Sequence, residues 1–232
     1  MSLRERLKNR ERVKKRAGAV LVGRFGRMFR ALGENAQLHQ WLAKGGDFPI
    51  FDNRFTMYEH LVTQIGKSTP IDFLEFGVFR GASLFKWAQL NTATDSRFIG
   101  FDSFEGLPED WTTWHVKGTF STGGVVPKTD DRRIQFIKGL FSDTLRPFVA
   151  AFEPRSQLVI HNDSDLYSST LFVLATIDPF VSPGTVLIFD EFSNLLHEWK
   201  AFHDYMTGFG HSCKILAASG HYFNQMAVRV SK

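Results

Sequence analysis

Two stretches, IDFLEFGVFRGAS at residues 71–83 and RFIGFDSFEGLP at 97–108, decide how this chain folds. Ile71 to Phe76 is an apolar run of the length expected for a fully buried strand, with Glu75 near its end. Gly77 and Gly81 bracket a turn into a helix whose apolar positions include Leu84, Phe85 and Ala88. Glycine suits that turn because a backbone without Cβ lets a ligand lie against it, where the free N–H groups of a helix start face outward. The second strand, Arg97 to Asp102, ends on a carboxylate, the expected acceptor for a ribose diol at the tip of strand two in a nucleotide-binding crevice. The spacing is not that of a dinucleotide site: Val78 and Phe79 follow Gly77, and the next glycine is Gly81. Without the glycine that hugs a pyrophosphate, the crevice suits a nucleoside free of phosphates, of which S-adenosylmethionine (SAM) is the common one. Open α/β sheets also use glycine turns with no ligand. Asp102, in the right order on the next strand, favours the nucleoside.

With 232 residues and 43% hydrophobic content, the chain suffices for one substantial core plus an appendage. The expected division is a basic helical extension over 1–52 and a main domain over 53–232. No apolar run approaches the roughly 18–20 residues of a membrane-spanning helix. The opening MSLRERLKNRERVKKR lacks the apolar core of a secretory signal. A single cysteine, Cys213, excludes an internal disulfide framework and a cysteine-rich zinc site. A cytoplasmic location is therefore expected.

The net charge of +4 conceals a division. Residues 1–30 hold eight arginines and three lysines against Glu5 and Glu11, a local +9 that leaves −5 for the rest. Leu21, Phe25, Met28 and Leu32 form a helical stripe beside Arg24, Arg27 and Arg30. Packing on the domain or on a second subunit is the favoured fate of this stripe, with a homo-oligomer as one outcome. Peripheral contact with an anionic membrane comes second, and nucleic acid is the least favoured partner. Gly18, Gly23 and Gly26 count against a long continuous helix.

Gly45-Gly46 and residues 47–52 read as a connector, and Arg54 to Ile65 as a helix before Pro70 introduces the first strand. Strands follow at 133–138, 157–162 and 185–190, with helices at 142–152, 168–181 and 195–208. Two further strands at 212–217 and 222–230 close the sheet as a hairpin. The fold class is α/β, a Rossmann-like, mostly parallel sheet with an antiparallel strand in the C-terminal hairpin and helices on both faces. The irregular section 103–131, with Trp111 and Trp114, is long enough to be a lid or binding loop.

Carboxylates also end the fourth and fifth strands, in HNDSDLYSS and FDEF. The carboxyl ends of adjacent strands line one crevice, so Asp163, Asp165, Asp190 and Glu191 should converge there. Clustered carboxylates repel unless protons or a cation neutralise them. Oxygen ligands without histidine or cysteine select Mg²⁺, Mn²⁺ or Ca²⁺ over zinc. Helix capping offers a structural alternative for one or two of the four. His161 and His197 flank these motifs and suit structural or substrate-contacting roles better than metal ligation.

These residues resemble a known family, the macrocin O-methyltransferase type of class I SAM-dependent enzymes, which are magnesium-dependent and methylate sugar hydroxyls of antibiotics. The resemblance runs from about Phe55 to Tyr205. It rests on FTMYEHL, LEFGVFRGAS, FIGFDSFEGLP, KGTF, FIKGLFSDTL, HNDSDLYSST and GTVLIFDEF. It implies a SAM site built by Glu75, Gly77, Arg80, Gly81, Ser83, Asp102, Ser103, Gly139, Phe141 and Ser142. It also implies Mg²⁺ or Mn²⁺ on Asp163, Asp190 and Glu191. Asp165 would be the general base, with Asp163 and His161 as the other catalytic positions. Two departures stand out: Ser164 replaces the glycine of the usual D-G-D, and Glu191 replaces the second aspartate of the usual terminal pair.

The expected function is O-methylation of a hydroxyl on a sugar or glycosylated small molecule, most readily one of a vicinal pair. A catechol-type diol is the alternative acceptor, and a non-catalytic SAM-fold binding protein is the rival from another class. The four acidic positions argue against the latter, and no base-methylating signature accompanies HNDSD.

Overall fold

The computed structural model describes residues 3–232, with side chains described at Lys14 and from Phe25 onward. The chain divides into two compact units, Met1–Lys44 and Gly45–Lys232. The first is helix α1 (Leu3–Gly45), which runs unbroken through Gly18, Gly23 and Gly26, against the sequence expectation. Each glycine costs a helix interior about 1 kcal/mol. Here that cost is spread over 43 residues rich in Arg, Lys, Leu and Ala. Phe25, Met28, Phe29 and Leu32 are exposed, and the Phe25 and Phe29 rings meet edge to face. Leu21 of the expected stripe lies outside the described side chains.

The second unit opens with β1 (Ile50–Phe51), followed by α2 (Arg54–Ile65), β2 (Ile71–Phe76), α3 (Ala82–Leu90) and β3 (Arg97–Asp102). Then come β4 (Ile134–Lys138), α4 (Phe141–Ala151), β5 (Gln157–Asn162) and α5 (Tyr167–Ile177). The chain continues through β6 (Val186–Phe189), α6 (Glu198–Phe209), β7 (Cys213–Ser219) and β8 (Gln225–Val230). The eight strands form one sheet in the order β1-β7-β8-β6-β5-β2-β3-β4. Only β8 runs antiparallel to its neighbours, β6 and β7. The connector expected at residues 47–52 contains β1, which pairs parallel with β7 through Ile50–Ala218 and Phe51–Ser219. These residues belong to the sheet unit rather than to the extension.

Strand alternation divides the aromatic core between the two faces. On one side Phe73 and Phe98 meet Trp87 of α3 and Met57, Tyr58 and Leu61 of α2. On the other, Phe76 stacks on Phe101 at 4.8 Å, Phe101 meets Phe148 of α4, and Phe189 meets Phe202 of α6. Burying each such ring contributes on the order of 2–3 kcal/mol. The chain leaves β2 for β3 and β4, then returns to β5 on β2's other flank, so the crevice opens where β2 and β5 end.

Candidate active site

Gly77 ends β2 with φ 92°, and a Cβ there would run into the Asp163 carbonyl. The two strand ends are thus closed on each other, joined also by Asp163 N–H donating to Phe76 O at 2.8 Å. Asp102 braces the same corner. Its Oδ2 accepts from the N–H groups of Val78 (2.8 Å) and Phe79 (2.7 Å), and its Oδ1 from Phe104 N–H (2.7 Å).

A cavity of about 560 Å³ opens from this corner, a size suited to a small-molecule ligand. Among the sequence-predicted residues, Gly77, Asp102, Ser103, Gly139, Phe141 and Ser142 line it, together with Asp163, Asp165, Asp190 and Glu191. The loop after β3 supplies Leu107, Pro108, Trp111 and Phe120. It is held on itself where Gly118 N–H donates to Leu107 O and Leu107 N–H donates to Thr119 O, each at 2.9 Å. Phe79 meets Phe120 edge to face at 5.9 Å, His115 stacks on Phe120, and Trp111 follows at 5.1 Å from His115. An aromatic wall therefore links the glycine turn to the carboxylates.

Four of the expected SAM contacts and one expected catalytic residue lie outside the cavity lining. Glu75 is buried, and its Oε1 is 2.9 Å from His161 Nδ1. His161 is buried too, and its Nε2 is 3.1 Å from the Tyr58 hydroxyl, which donates to Ser83 Oγ at 3.4 Å. Glu75 and His161 are register partners in the parallel β2–β5 pair, so their side chains share a face, behind the site. Burial raises the Glu75 carboxyl, opposed by its bond to His161. Gly81 is buried at the start of α3, and Arg80 is exposed with its guanidinium over the Phe79 ring at 5.0 Å.

The carboxylate cluster carries strong electrostatic tension. Asp163 is pushed well above the ordinary range by burial and then by Asp190 and Asp165. Asp165 is pushed up to about 7, first by burial and then by Glu191, Asp190 and Asp102. Its backbone is left-handed at φ 60°, a conformation that aspartate tolerates better than most residues. Glu191 is raised chiefly by burial, while Asn224 donates to its Oε1 at 3.3 Å. Asp190 Oδ1 is buried without a hydrogen-bond partner. Among the described residues, no three acidic, histidine or cysteine side chains stand together as a metal-holding group.

Two members of this region escaped the sequence reading. Arg54, the first residue of α2, donates to Asp190 Oδ2 at 2.9 Å. Glu198, buried at the start of α6, accepts from Glu191 N–H at 2.9 Å and is raised well above its ordinary value by burial. In sequence both read as ordinary charged residues in a first helical turn.

A family described as a methyltransferase domain matches residues 74–192. The chain is 31% identical to the 8-demethyl-8-(2,3-dimethoxy-alpha-L-rhamnosyl)-tetracenomycin-C 4'-O-methyltransferase of Streptomyces olivaceus, over 68% of this chain and 66% of that protein. It thus spans about two thirds of that relative's length. It is 26% identical to the mycinamicin III 3''-O-methyltransferase of Micromonospora griseorubida, over 73% of this chain and 79% of that one. Among solved structures, the O-methyltransferase NovP superposes with a TM-score of 0.63 at 20% identity, covering 77% of this chain and 80% of that chain. The chain belongs to the methyltransferase-domain family, within its class I S-adenosylmethionine-dependent O-methyltransferases.

Proposed function

We propose that the protein methylates one hydroxyl of a sugar or glycosylated small molecule carrying vicinal hydroxyls, with a divalent cation, Mg²⁺ or Mn²⁺, assisting. The observation that carries this reading is the convergence of Asp163, Asp165, Asp190 and Glu191 in the same cavity as the Gly77–Asp102 corner. The O-methyltransferase of Streptomyces olivaceus, whose name carries a rhamnosyl group, supports the sugar acceptor.

The donor chemistry fits a hard cation: oxygen ligands only, carboxyls raised by burial and mutual charge, and a buried Asp190 oxygen with no partner. Asp163, Asp190 and Glu191 would hold the ion, which when bound lowers the pKa of a coordinated hydroxyl. SAM supplies the methyl group from its sulfonium, and its nucleoside fits the Gly77, Asp102 and Gly139–Ser142 lining.

The chain's own residues do the rest. An in-line displacement gains most from positioning, which the closed β2–β5 corner provides. Phe79, Trp111 and Phe120 give the cavity an apolar wall against which donor and acceptor can pack. The Asp165 carboxylate takes the proton of the acceptor hydroxyl. With its pKa at about 7, it is basic enough to accept that proton and still ionised at mildly alkaline pH.

Radiolabelled SAM incubated with an alkyl L-rhamnoside, with and without EDTA, tests the reading. Methylated sugar that disappears with chelator and returns with Mg²⁺ is expected. Methylation undiminished in EDTA would remove the cation, and a methylated catechol with an untouched rhamnoside would replace the sugar.

A further inference from the structure

Arg54 stands against two of the proposed cation's ligands. Its Nη1 lies 2.9 Å from Asp190 Oδ2 and 4.0 Å from Asp163 Oδ2. The other Asp190 oxygen is buried and bonded to nothing, so one oxygen of this carboxylate is engaged by a guanidinium and the other has no partner. Asn53 caps α2 by accepting from the Phe55 and Thr56 N–H groups, which fixes the helix start from which Arg54 reaches across. The Asp190 side chain is 9% exposed, whereas Arg54 is 31% exposed and lines the cavity, so the guanidinium has space to withdraw and the carboxylate does not.

We propose that Arg54 is a resident counter-ion that occupies the cation's place on Asp190 and must leave before a divalent ion binds, so that it sets the protein's cation affinity. The inference rests on the reading of Asp163, Asp190 and Glu191 as the ion's ligands. Several carboxylates confined in a poorly solvated pocket repel one another and weaken the fold unless a positive charge sits among them. A guanidinium tethered to α2 provides that charge without being recruited from solution. It also blocks Asp190 Oδ2 and repels a second cation a few ångströms away. The two ions bind differently: guanidinium holds a carboxylate through directional N–H bonds and is weakly hydrated, while Mg²⁺ and Mn²⁺ require oxygens at close range on several sides. They are alternatives at one position, exchanged according to cation concentration.

Mn²⁺ titration of the full chain, read by the electron paramagnetic resonance signal of free Mn²⁺ with no acceptor present, tests this independently of turnover. R54M should bind Mn²⁺ at least about tenfold more tightly than the unaltered protein, with R54K in between. In EDTA, R54M should melt below the unaltered protein at pH 8, and Mn²⁺ should restore it. Equal or weaker Mn²⁺ binding by R54M would overturn the exchange while leaving the metal site intact. Should R54M fail to fold, R54K decides: affinity equal to that of the unaltered protein overturns the inference. Absence of Mn²⁺ binding in all three proteins would remove the cation from the proposed function, and the inference with it.

Discussion

Replacing Asp165 with asparagine should separate stability from turnover. Its carboxyl ionises at about 7 in the folded protein, against an ordinary 3.8. Between those values the folded state keeps a proton that the unfolded chain has released, so this residue's contribution to stability falls as pH rises through the window. At 1.36 kcal/mol per pH unit, ionising it in place costs the fold about 4 kcal/mol by pH 8, and between 1 and 2 kcal/mol, roughly, at pH 5. Asparagine matches the side chain in size and tolerates the left-handed backbone at φ 60°, but carries no charge. In EDTA, Asp165→Asn should therefore be stabilised by up to about 4 kcal/mol at pH 8, roughly 10 °C in melting temperature for a unit of this size, and by much less at pH 5. Thermal unfolding at the two pH values measures this. The same protein should bind SAM normally and lose methyl transfer, because an amide cannot take the acceptor's proton. A melting temperature at pH 8 equal to or below that of the unaltered protein would show that the carboxylate is not held under strain by Glu191, Asp190 and its own burial.

Mg²⁺ should raise the melting temperature of chelator-treated protein more at pH 8 than at pH 5, since protons compete with the ion for carboxyls that burial and mutual charge make harder to ionise, Asp163 and Glu191 among them; equal shifts would count against Asp163 and Glu191 as ligands. Gly77→Ala forces a Cβ against the Asp163 carbonyl at φ 92°, and should cost more than about 2 kcal/mol and weaken SAM binding at least tenfold. Calorimetry and unfolding at wild-type values would refute that closure. Removing residues 1–44 should leave the Gly45–Lys232 unit folded and able to bind SAM, while dissociating an oligomer built on Phe25, Met28, Phe29 and Leu32. Unchanged mass by light scattering would end the oligomer reading and favour anionic vesicles as the partner of that helix.

The sheet was legible because strands buried on both faces appear as continuous apolar runs, and because the acidic residues that matter sit where those runs stop. Asp102, Asp163, Asp165, Asp190 and Glu191 stand out in this way, and all line the cavity. Glu75 and His161 lie outside the cavity lining for a related reason. Both lie inside strands, where alternation decides which face a side chain takes, and only the register of β2 on β5 reveals that they face each other behind the site. Arg54 left no local signal, since its partner is 136 positions away and the reach of a long side chain is written in the fold. The short β1 was hidden by Gly45-Gly46 and Pro49, which read as connector. The unbroken α1 shows the small penalties of Gly18, Gly23, Gly26 and Gly33 losing to the summed preference of a long helix-forming stretch.

The position of β8 has a consequence for biogenesis. It is the latest of the eight strands in chain order, yet it enters the interior of the sheet between β6 and β7. The residues at its start also reach the site: Asn224 and Gln225 donate to the Asp190 carbonyl at 3.2 Å and 3.0 Å, and Asn224 steadies Glu191. While the chain emerges from a ribosome, β2 to β6 can assemble and leave the flank of β6 as an open edge, exposed to wrong pairing until β8 arrives. The carboxylates acquire their final bracing only then. Translation must therefore pass residue 230 before the site can mature, and a nascent chain stalled short of β8 would present the sheet without a finished catalytic end.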